Sequence, residues 1–204
     1  MKKSKLAKVL TVSLAALMVF GLASCGGGSG KVSDKDITVI SREEGSGTRD
    51  AFTELTGVLQ DDVDKTVDTA EISNSTSVVT QSVAGNDAAI GYISLGSLDD
   101  TVKAVKVDGV EATVDNIKSG DYKIQRPFNI VTKGEVKELP ADFIKFIMSK
   151  DGQKIIEDEG YISVNDNAEA YKASGLKGSI TLAGSTSVSP VMEVLADKYK
   201  ELNS

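Results

Sequence analysis

The sequence of 204 residues contains no histidine and no tryptophan, and it has a single cysteine and three prolines. Histidine is the commonest general base and metal ligand, so its absence argues against triad hydrolysis and zinc chemistry. A single cysteine cannot form a disulfide within the chain. We therefore expect a protein that is not an enzyme, and no cofactor or metal is implied.

The N-terminal segment has the features of a signal sequence. Lysines at positions 2, 3, 5 and 8 precede an apolar run at residues 9–22 that is short for a membrane span. The small residues before Cys25 resemble the lipobox of bacterial lipoproteins, in which the cysteine carries the lipid. We predict a lipoprotein signal peptide at 1–24 and lipidation, including palmitate, at Cys25. An ordinary signal peptide with a chance cysteine and a short anchor helix are the alternatives.

Residues 25–35 follow as a flexible tether, because five consecutive glycines and serines stand at 26–30. A lipid on Cys25 would hold the protein on a membrane surface without a spanning segment. The predicted location is therefore the extracytoplasmic face of the cell membrane, with the chain anchored in the membrane through this lipid.

The charge of the mature chain limits its partners. Removal of residues 1–24 removes four lysines and no acidic residue, which moves the net charge from −7 to −11. Such an acidic chain argues against nucleic acid or an anionic membrane surface as a partner. A small anion is not excluded, because an anion site needs only a few locally aimed donors.

Strands alternate with helices along the chain, which indicates an α/β protein. The Asp108-Gly109 dipeptide predicts a hairpin turn, and a polar linker is expected at 165–177. Short β-rich runs stand at 37–41, 89–93, 102–107, 125–131 and 179–183. Helical spacing starts near Thr48, after a cap at Ser77, after Pro140, around Ile155, and at Ser189-Pro190.

Two turns, at residues 41–49 and 183–190, share one design. Each leaves an apolar strand, passes through glycines and hydroxyl residues, and opens a helix. Unpaired N–H groups and the helix dipole favour an anion at such a place. Arg42 in the first turn offers a charge-assisted, bidentate contact to a tetrahedral oxyanion. A capped helix start without a ligand is the alternative for each turn.

Residues 41–52, which read SREEGSGTRDAF, closely resemble the signature of the phosphate-binding components of bacterial phosphate ABC importers. This resemblance implies a periplasmic-binding-protein-like (type II) fold of two lobes, with phosphate between them. Further stretches that look like the same family stand at 86–95, 102–114, 118–132, 146–163 and 178–204.

The resemblance also implies roles for individual residues. Arg42, Ser46, Gly47 and Thr48 match the family's hydrogen-bond donors to phosphate in the first lobe. Thr186 and Ser187 match the donors of the opposite lobe. Glu44 matches an acidic position that pairs with the arginine and lies near the ligand. A carboxylate there accepts the proton of phosphate, which sulfate lacks, and so discriminates between the two. Glu44 as a structural partner of Arg42 alone is the alternative.

The order of the segments departs from the family. The family's chain begins with the stretch found here at 178–204 and ends with that at 36–165, and an intervening Gly-rich turn and an aspartate have no counterpart. We therefore predict a ligand-binding lobe at 36–125 and an incomplete second lobe at 126–204, where 178–204 is the family's first βα unit. A tandem, a split or a permuted degenerate protein would explain the order, and a complementary chain or segment would complete the lobe.

The predicted function is extracytoplasmic binding of inorganic phosphate for delivery to the membrane permease of an ABC importer. One alternative is a binder of another oxyanion, such as molybdate or sulfate. A second is a degenerate or split surface module that kept the fold and no longer binds ligand alone. An enzyme such as a phosphatase is disfavoured, because the sequence has no histidine and no evident metal cluster.

Overall fold

The computed structural model describes residues 36–204. The predicted signal peptide, the tether at 25–35 and the lipidation site Cys25 lie outside these residues. Among the described residues, no helix combines the length and apolar character that a membrane crossing requires. Residues 36–204 form one compact unit, and the lobe boundary at residues 125 and 126 stays a prediction.

The described residues contain a three-stranded parallel sheet and a separate hairpin. The strands are β1 (Thr38–Arg42), β2 (Leu59–Gln60), β3 (Val63–Asp64), β4 (Glu71–Ser73) and β5 (Ala89–Ile90). The sheet has the order β4-β1-β5, and the hairpin joins β2 to β3 through Asp61 and Asp62, both with positive φ. A parallel sheet with helical crossovers agrees with the predicted α/β class.

Six α-helices and one short 3₁₀ helix, Leu95–Ser97, lie within residues 36–204. The first two follow strands of the sheet, and the last three carry most of the apolar core. The helices are α1 (Gly47–Thr56), α2 (Thr76–Ala84), α3 (Val114–Lys118), α4 (Glu138–Ile147), α5 (Lys150–Asp158) and α6 (Ser189–Leu202).

The ends of α1 and α2 follow from local sequence. Ser46 caps α1 through its side chain, and Gly57 ends the helix with a left-handed φ of 72°, which glycine adopts without steric cost. Helix α2 begins at Thr76, and its N-cap, Ser75, lies two residues before the predicted cap at Ser77. The turn chemistry therefore located both helices, with a small shift in the second.

Helices α4, α5 and α6 enclose the main apolar cluster. Phe146 is completely buried at its centre. The backbones of α4 and α5 approach closely at Gly152. A Cβ atom added there would lie 2.2 Å from the carbonyl oxygen of Phe146, so only glycine fits. The buried members are Phe143, Phe146, Ile147, Tyr161, Val191, Leu195 and Tyr199.

Three predicted strands, at 102–107, 125–131 and 179–183, do not form. Near the first, only an isolated bridge joins Val107 to Val110, around a turn in which Asp108 and Gly109 both have positive φ, as the hairpin signal predicted. The other two have no pairing strand within residues 36–204. Several of their apolar side chains face solvent, such as Val131 at 88% exposure, whereas Ile180 packs against the main apolar cluster. The prediction that 178–204 is a βα unit was therefore wrong in its strand and right in its helix, α6.

Candidate functional site

Arg42 is the last residue of β1, and its side chain is only 2% exposed. A buried guanidinium needs hydrogen-bond acceptors on every side. Its Nε donates to Oε2 of Glu43 (2.8 Å) and to the carbonyl of Ser73 (3.3 Å). Its Nη2 donates to Oε1 of Glu43 (2.9 Å) and to Oγ1 of Thr186 (3.0 Å), while Nη1 donates to Oγ1 of Thr76 (3.2 Å). The guanidinium thus joins three segments of the chain: the end of β1, the connection from β4 to α2, and the turn before α6.

Glu43, and not Glu44, is the carboxylate that pairs with Arg42. The hydrogen bond from the guanidinium lowers the pKa of the Glu43 carboxyl below its usual value. Glu44 is the next residue in the turn and is exposed, without a hydrogen bond to Arg42. The predicted pairing of Glu44 with the arginine was therefore wrong, because Glu43 follows the strand directly and reaches the Nε side of the guanidinium first. A ligand contact by Glu44 stays a prediction.

The N-terminus of α1 carries the other three predicted residues of the first turn. Oγ of Ser46 accepts from the N–H of Arg49 at 3.4 Å, and Ser46 is itself buried. Within residues 36–204, the N–H groups of Gly47 and Thr48 make no hydrogen bond. A Cβ atom at Gly47 would meet nothing within 4 Å, so open space lies beside this backbone. These amides are oriented as a helix N-terminus offers them to an anion.

The second predicted turn meets the first through its hydroxyl groups. Thr48 and Ser187 are hydrogen-bonded through their side-chain oxygens. Thr186 accepts from Arg42, and its Oγ1 lies 3.2 Å from Oγ1 of Thr76. The carbonyl of Ser187 is fixed by the hydroxyl of Tyr161 at 2.7 Å. The structure therefore brings the two turns together, as the resemblance implied.

Two further residues of this cluster were missed from the sequence. Thr76 is buried at the start of α2, and its hydroxyl accepts from Arg42. The hydroxyl of Tyr92 accepts from the N–H of Arg42 at 3.0 Å, and its ring stacks on Phe52 with the centroids 4.1 Å apart. The Ser-Thr-Ser run at 75–77 signalled a polar helix start, but no feature of the sequence shows which strand end it faces.

A cleft of about 820 Å³ borders the cluster, between α2 and the N-terminus of α6. Thr76 and Thr186 line it and also bond Arg42, so their hydroxyl groups separate the cleft from the guanidinium. Asp99 and Glu193 are its charged lining residues. No basic residue of the described part of the chain lines this cleft, so attraction of an anion depends on groups beside it, such as Arg42 and the helix N-termini. Two further cations contact the same turn: Arg49 donates to the carbonyl of Arg42, and Arg126 donates to that of Gly47. Within residues 36–204, no group of three or more acidic or cysteine side chains is arranged to hold a metal ion.

Comparisons with known proteins identify the relatives of this chain. A family model described as a PBP superfamily domain matches residues 28–151. The phosphate-binding protein PstS 2 of Streptococcus agalactiae is 51% identical over 211 residues, which cover 100% of this chain and 71% of that protein. PstS 2 of Streptococcus pneumoniae is 48% identical over 206 residues, and the alignment covers 98% of this chain and 71% of that protein. Because one alignment spans the whole chain, the S. agalactiae relative carries these segments in the same order.

Solved structures give the same result. A phosphate-binding protein of a phosphate ABC transporter from Streptococcus pneumoniae superposes with a TM-score of 0.70 at 50% identity, over 83% of this chain and 67% of that one. A substrate-binding protein from Clostridium perfringens, crystallised with bound phosphate, gives a TM-score of 0.59 at 46% identity. This superposition covers 63% of this chain and 52% of the Clostridium perfringens chain. The predicted periplasmic-binding-protein-like α/β fold is thereby confirmed.

Proposed function

Because this chain belongs to the family of phosphate-binding proteins within the PBP superfamily, we propose that it binds inorganic phosphate outside the cytoplasm and delivers it to the permease of an ABC importer. One observation carries the proposal. The buried guanidinium of Arg42 donates to the hydroxyl groups of Thr76 and Thr186, which come from two other segments, and Arg42 stands just before the turn that opens α1.

The parts of this cluster have the chemistry that a tetrahedral anion requires. Arg42 supplies a permanent positive charge with directed N–H donors, and the amides of Gly47 and Thr48 add donors at the positive end of the α1 dipole. Hydroxyl groups can rotate and donate to a ligand instead of to each other. The Thr48–Ser187 bond and the Thr76–Thr186 contact would then be exchanged for bonds to the phosphate oxygens.

Selectivity for phosphate is proposed to come from Glu44. It is exposed in the turn that precedes α1 and makes no hydrogen bond with Arg42, so its carboxylate is available as an acceptor. A protonated phosphate donates to such an acceptor, whereas sulfate leaves it unpaired and is repelled. Glu44→Gln is therefore expected to narrow the preference for phosphate over sulfate.

The finer partners are also part of the proposal. A lipid on Cys25 would keep the protein at the membrane next to its permease. A complementary chain or segment would pair with residues 125–131 and 179–183. This is supported by the exposure of Phe128, Val131 and Leu182 in these stretches, which pair with no strand within residues 36–204. Relatives of this chain are named as binding proteins, and we propose that it too has no catalytic activity.

Calorimetric titration of the chain with inorganic phosphate tests the assignment. We expect Arg42→Ala to weaken binding by roughly 30-fold or more, since truncating one partner of a buried charged hydrogen bond costs about 2–5 kcal/mol. Lys200→Ala is the matched control, because it also removes one positive charge, from the exposed face of α6. Equal binding by Arg42→Ala and the control would contradict the proposal.

A second variant tests the helix N-terminus. Gly47→Ala introduces a methyl group that meets no atom of the protein, so we expect the fold to stay intact. The methyl group would stand beside the amides that we propose to bind phosphate, so affinity should fall. If neither wild type nor any variant binds phosphate, sulfate or molybdate, the chain is better interpreted as a degenerate surface module that does not bind ligand alone.

A further inference from the structure

The carboxylate of Glu43 occupies one complete edge of the Arg42 guanidinium. Its two oxygens accept from Nε at 2.8 Å and from Nη2 at 2.9 Å, which is the parallel, bidentate geometry in which arginine binds carboxylate or phosphate. The second N–H of Nη2 and one N–H of Nη1 are directed to Thr186 and Thr76. Of the five N–H donors of Arg42, four are thus engaged by neighbours within residues 36–204.

Glu43 can leave this edge without displacing Arg42. Its side chain is 35% exposed, and Arg42 is the partner of both its hydrogen bonds in the described part of the chain. The guanidinium, in contrast, is buried and is held independently by the carbonyl of Ser73 and by the two threonine hydroxyls. Rotation of the glutamate into solvent would therefore present a positioned Nε/Nη2 edge to another anion.

Glu43 and Glu44 are adjacent in sequence but differ in their relation to the arginine. Glu43 is bonded to the guanidinium, and that contact lowers the pKa of its carboxyl group, so it is ionised at neutral pH. Glu44 is exposed and not bonded to Arg42. One carboxylate is placed where an anionic ligand would bind, and the other is placed beside that position. The pair therefore supplies a matched comparison within one turn.

We propose that Glu43 is an internal competitor of the ligand, which must release the Nε/Nη2 edge of Arg42 before a tetrahedral oxyanion binds there bidentately. This inference rests on the proposed function and adds a regulating residue to it. The competition lowers the affinity for phosphate and shifts filling of the site to higher phosphate concentrations. The competition also excludes anions that bind the guanidinium weakly. A ligand has to displace the carboxylate of Glu43, which is the next residue in the chain and therefore always lies near Arg42.

Calorimetric titration with inorganic phosphate of the full chain and of Glu43→Gln tests the competition. Glutamine keeps the size of the side chain and removes its charge, so the bidentate charged pair is lost. We expect Glu43→Gln to bind phosphate roughly 3- to 10-fold more tightly than wild type, a discounted range because Glu43 is partly exposed. Glu44→Gln removes the same charge from the adjacent residue and is expected to weaken binding, because Glu44 is proposed to accept from the ligand.

The outcomes separate the inference from the proposed function. If wild type binds phosphate, Arg42→Ala does not, and Glu43→Gln binds equally or more weakly than wild type, the competition is refuted and Glu43 instead supports the site. If neither wild type nor Glu43→Gln binds phosphate, the proposed function fails together with the inference. Unchanged circular dichroism and urea midpoints of Glu43→Gln establish that the variant is folded, and Glu43→Ala provides an independent test of tighter binding.

Discussion

The region around the parallel sheet and the region of α4, α5 and α6 bury opposite kinds of side chain. In the sheet region, buried polar residues outnumber buried apolar ones, whereas the helical region is filled mainly by aromatic and aliphatic groups. Apolar burial is the dominant source of stability, and polar burial is tolerated where the groups satisfy each other. The buried polar residues of the sheet region are Ser41, Arg42, Ser46, Thr53, Ser73, Thr76 and Thr80.

The two regions also treat their charged groups differently. Arg42 in the sheet region is bonded by hydroxyls that come from other segments and by the partly exposed Glu43. Asp142 in the helical region is bonded by the hydroxyls of Tyr171, Ser174 and Tyr199 at 2.6 to 2.7 Å. The first set belongs to the site that we propose for phosphate, while the second fixes a loop against two helices. The proposed binding and the stability of the fold are therefore assigned to separate side chains.

Phe146→Ala is expected to have the largest effect on stability. Phe146 is fully buried and contacts the rings of Phe143, Tyr171 and Tyr199, so its truncation leaves a cavity that these helices cannot fill. We expect the free energy of unfolding to fall by about 3–5 kcal/mol, measured by urea denaturation. At temperatures where the variant is still folded, its phosphate affinity should equal that of wild type.

The control is Phe128→Ala, which changes the same residue type outside the cluster. Phe128 is 54% exposed and makes one edge contact with Tyr161. We expect a loss of no more than about 1 kcal/mol, close to the usual range for exposed positions. Similar losses for both phenylalanines would show that stability is not concentrated in the helical region.

The same division separates what the sequence predicted from what it did not. The glycine-serine turn at 41–49 located the start of α1, and apolar spacing located α4 and α6, because these signals are local. The β-rich runs at 125–131 and 179–183 failed as predictions. A strand exists only when another strand accepts its hydrogen bonds, and β-propensity does not supply that partner.

The candidate site shows a corresponding limit. The resemblance implied binding roles for Arg42, Thr48, Thr186 and Ser187, and the structure places these four close together although Thr48 and Thr186 are 138 positions apart. It did not identify Glu43 as the partner of the arginine. Which of two adjacent glutamates reaches a guanidinium depends on the direction in which β1 ends, and that direction is a property of the folded backbone.

Asp142→Asn is expected to have an intermediate effect and to change the pH dependence of stability. Burial acts to raise the pKa of Asp142, but the hydrogen bonds from Ser174, Tyr171 and Tyr199 outweigh it, and the pKa is lowered overall. Replacement by an amide weakens these bonds, and we expect a loss of about 1–3 kcal/mol at neutral pH. Denaturation by urea at a series of pH values measures the difference between wild type and variant.

The sign of this pH dependence follows from the direction of the shift. A carboxyl group with a lower pKa in the folded than in the unfolded state stabilises the fold at pH values above its unfolded pKa of about 3.9. The contribution is lost as the pH falls through the folded pKa. The stability advantage of wild type over Asp142→Asn should therefore be constant from pH 7 to about pH 5 and shrink below about pH 4. An advantage that grows on acidification would contradict the assigned hydrogen bonds.

The smallest expected effects come from a pair of serines that precede helices in the two regions. Oγ of Ser149 accepts from the N–H of Gly152 at 3.3 Å and caps α5, whereas Ser75 at the start of α2 makes no side-chain capping bond. Ser149→Ala should cost about 1 kcal/mol, and Ser75→Ala only a few tenths. Urea midpoints measured in parallel would resolve this difference. An equal loss at Ser75 would mean that the start of α2 is held by its serine after all, and that the sheet region contributes more to stability than its polar interior implies.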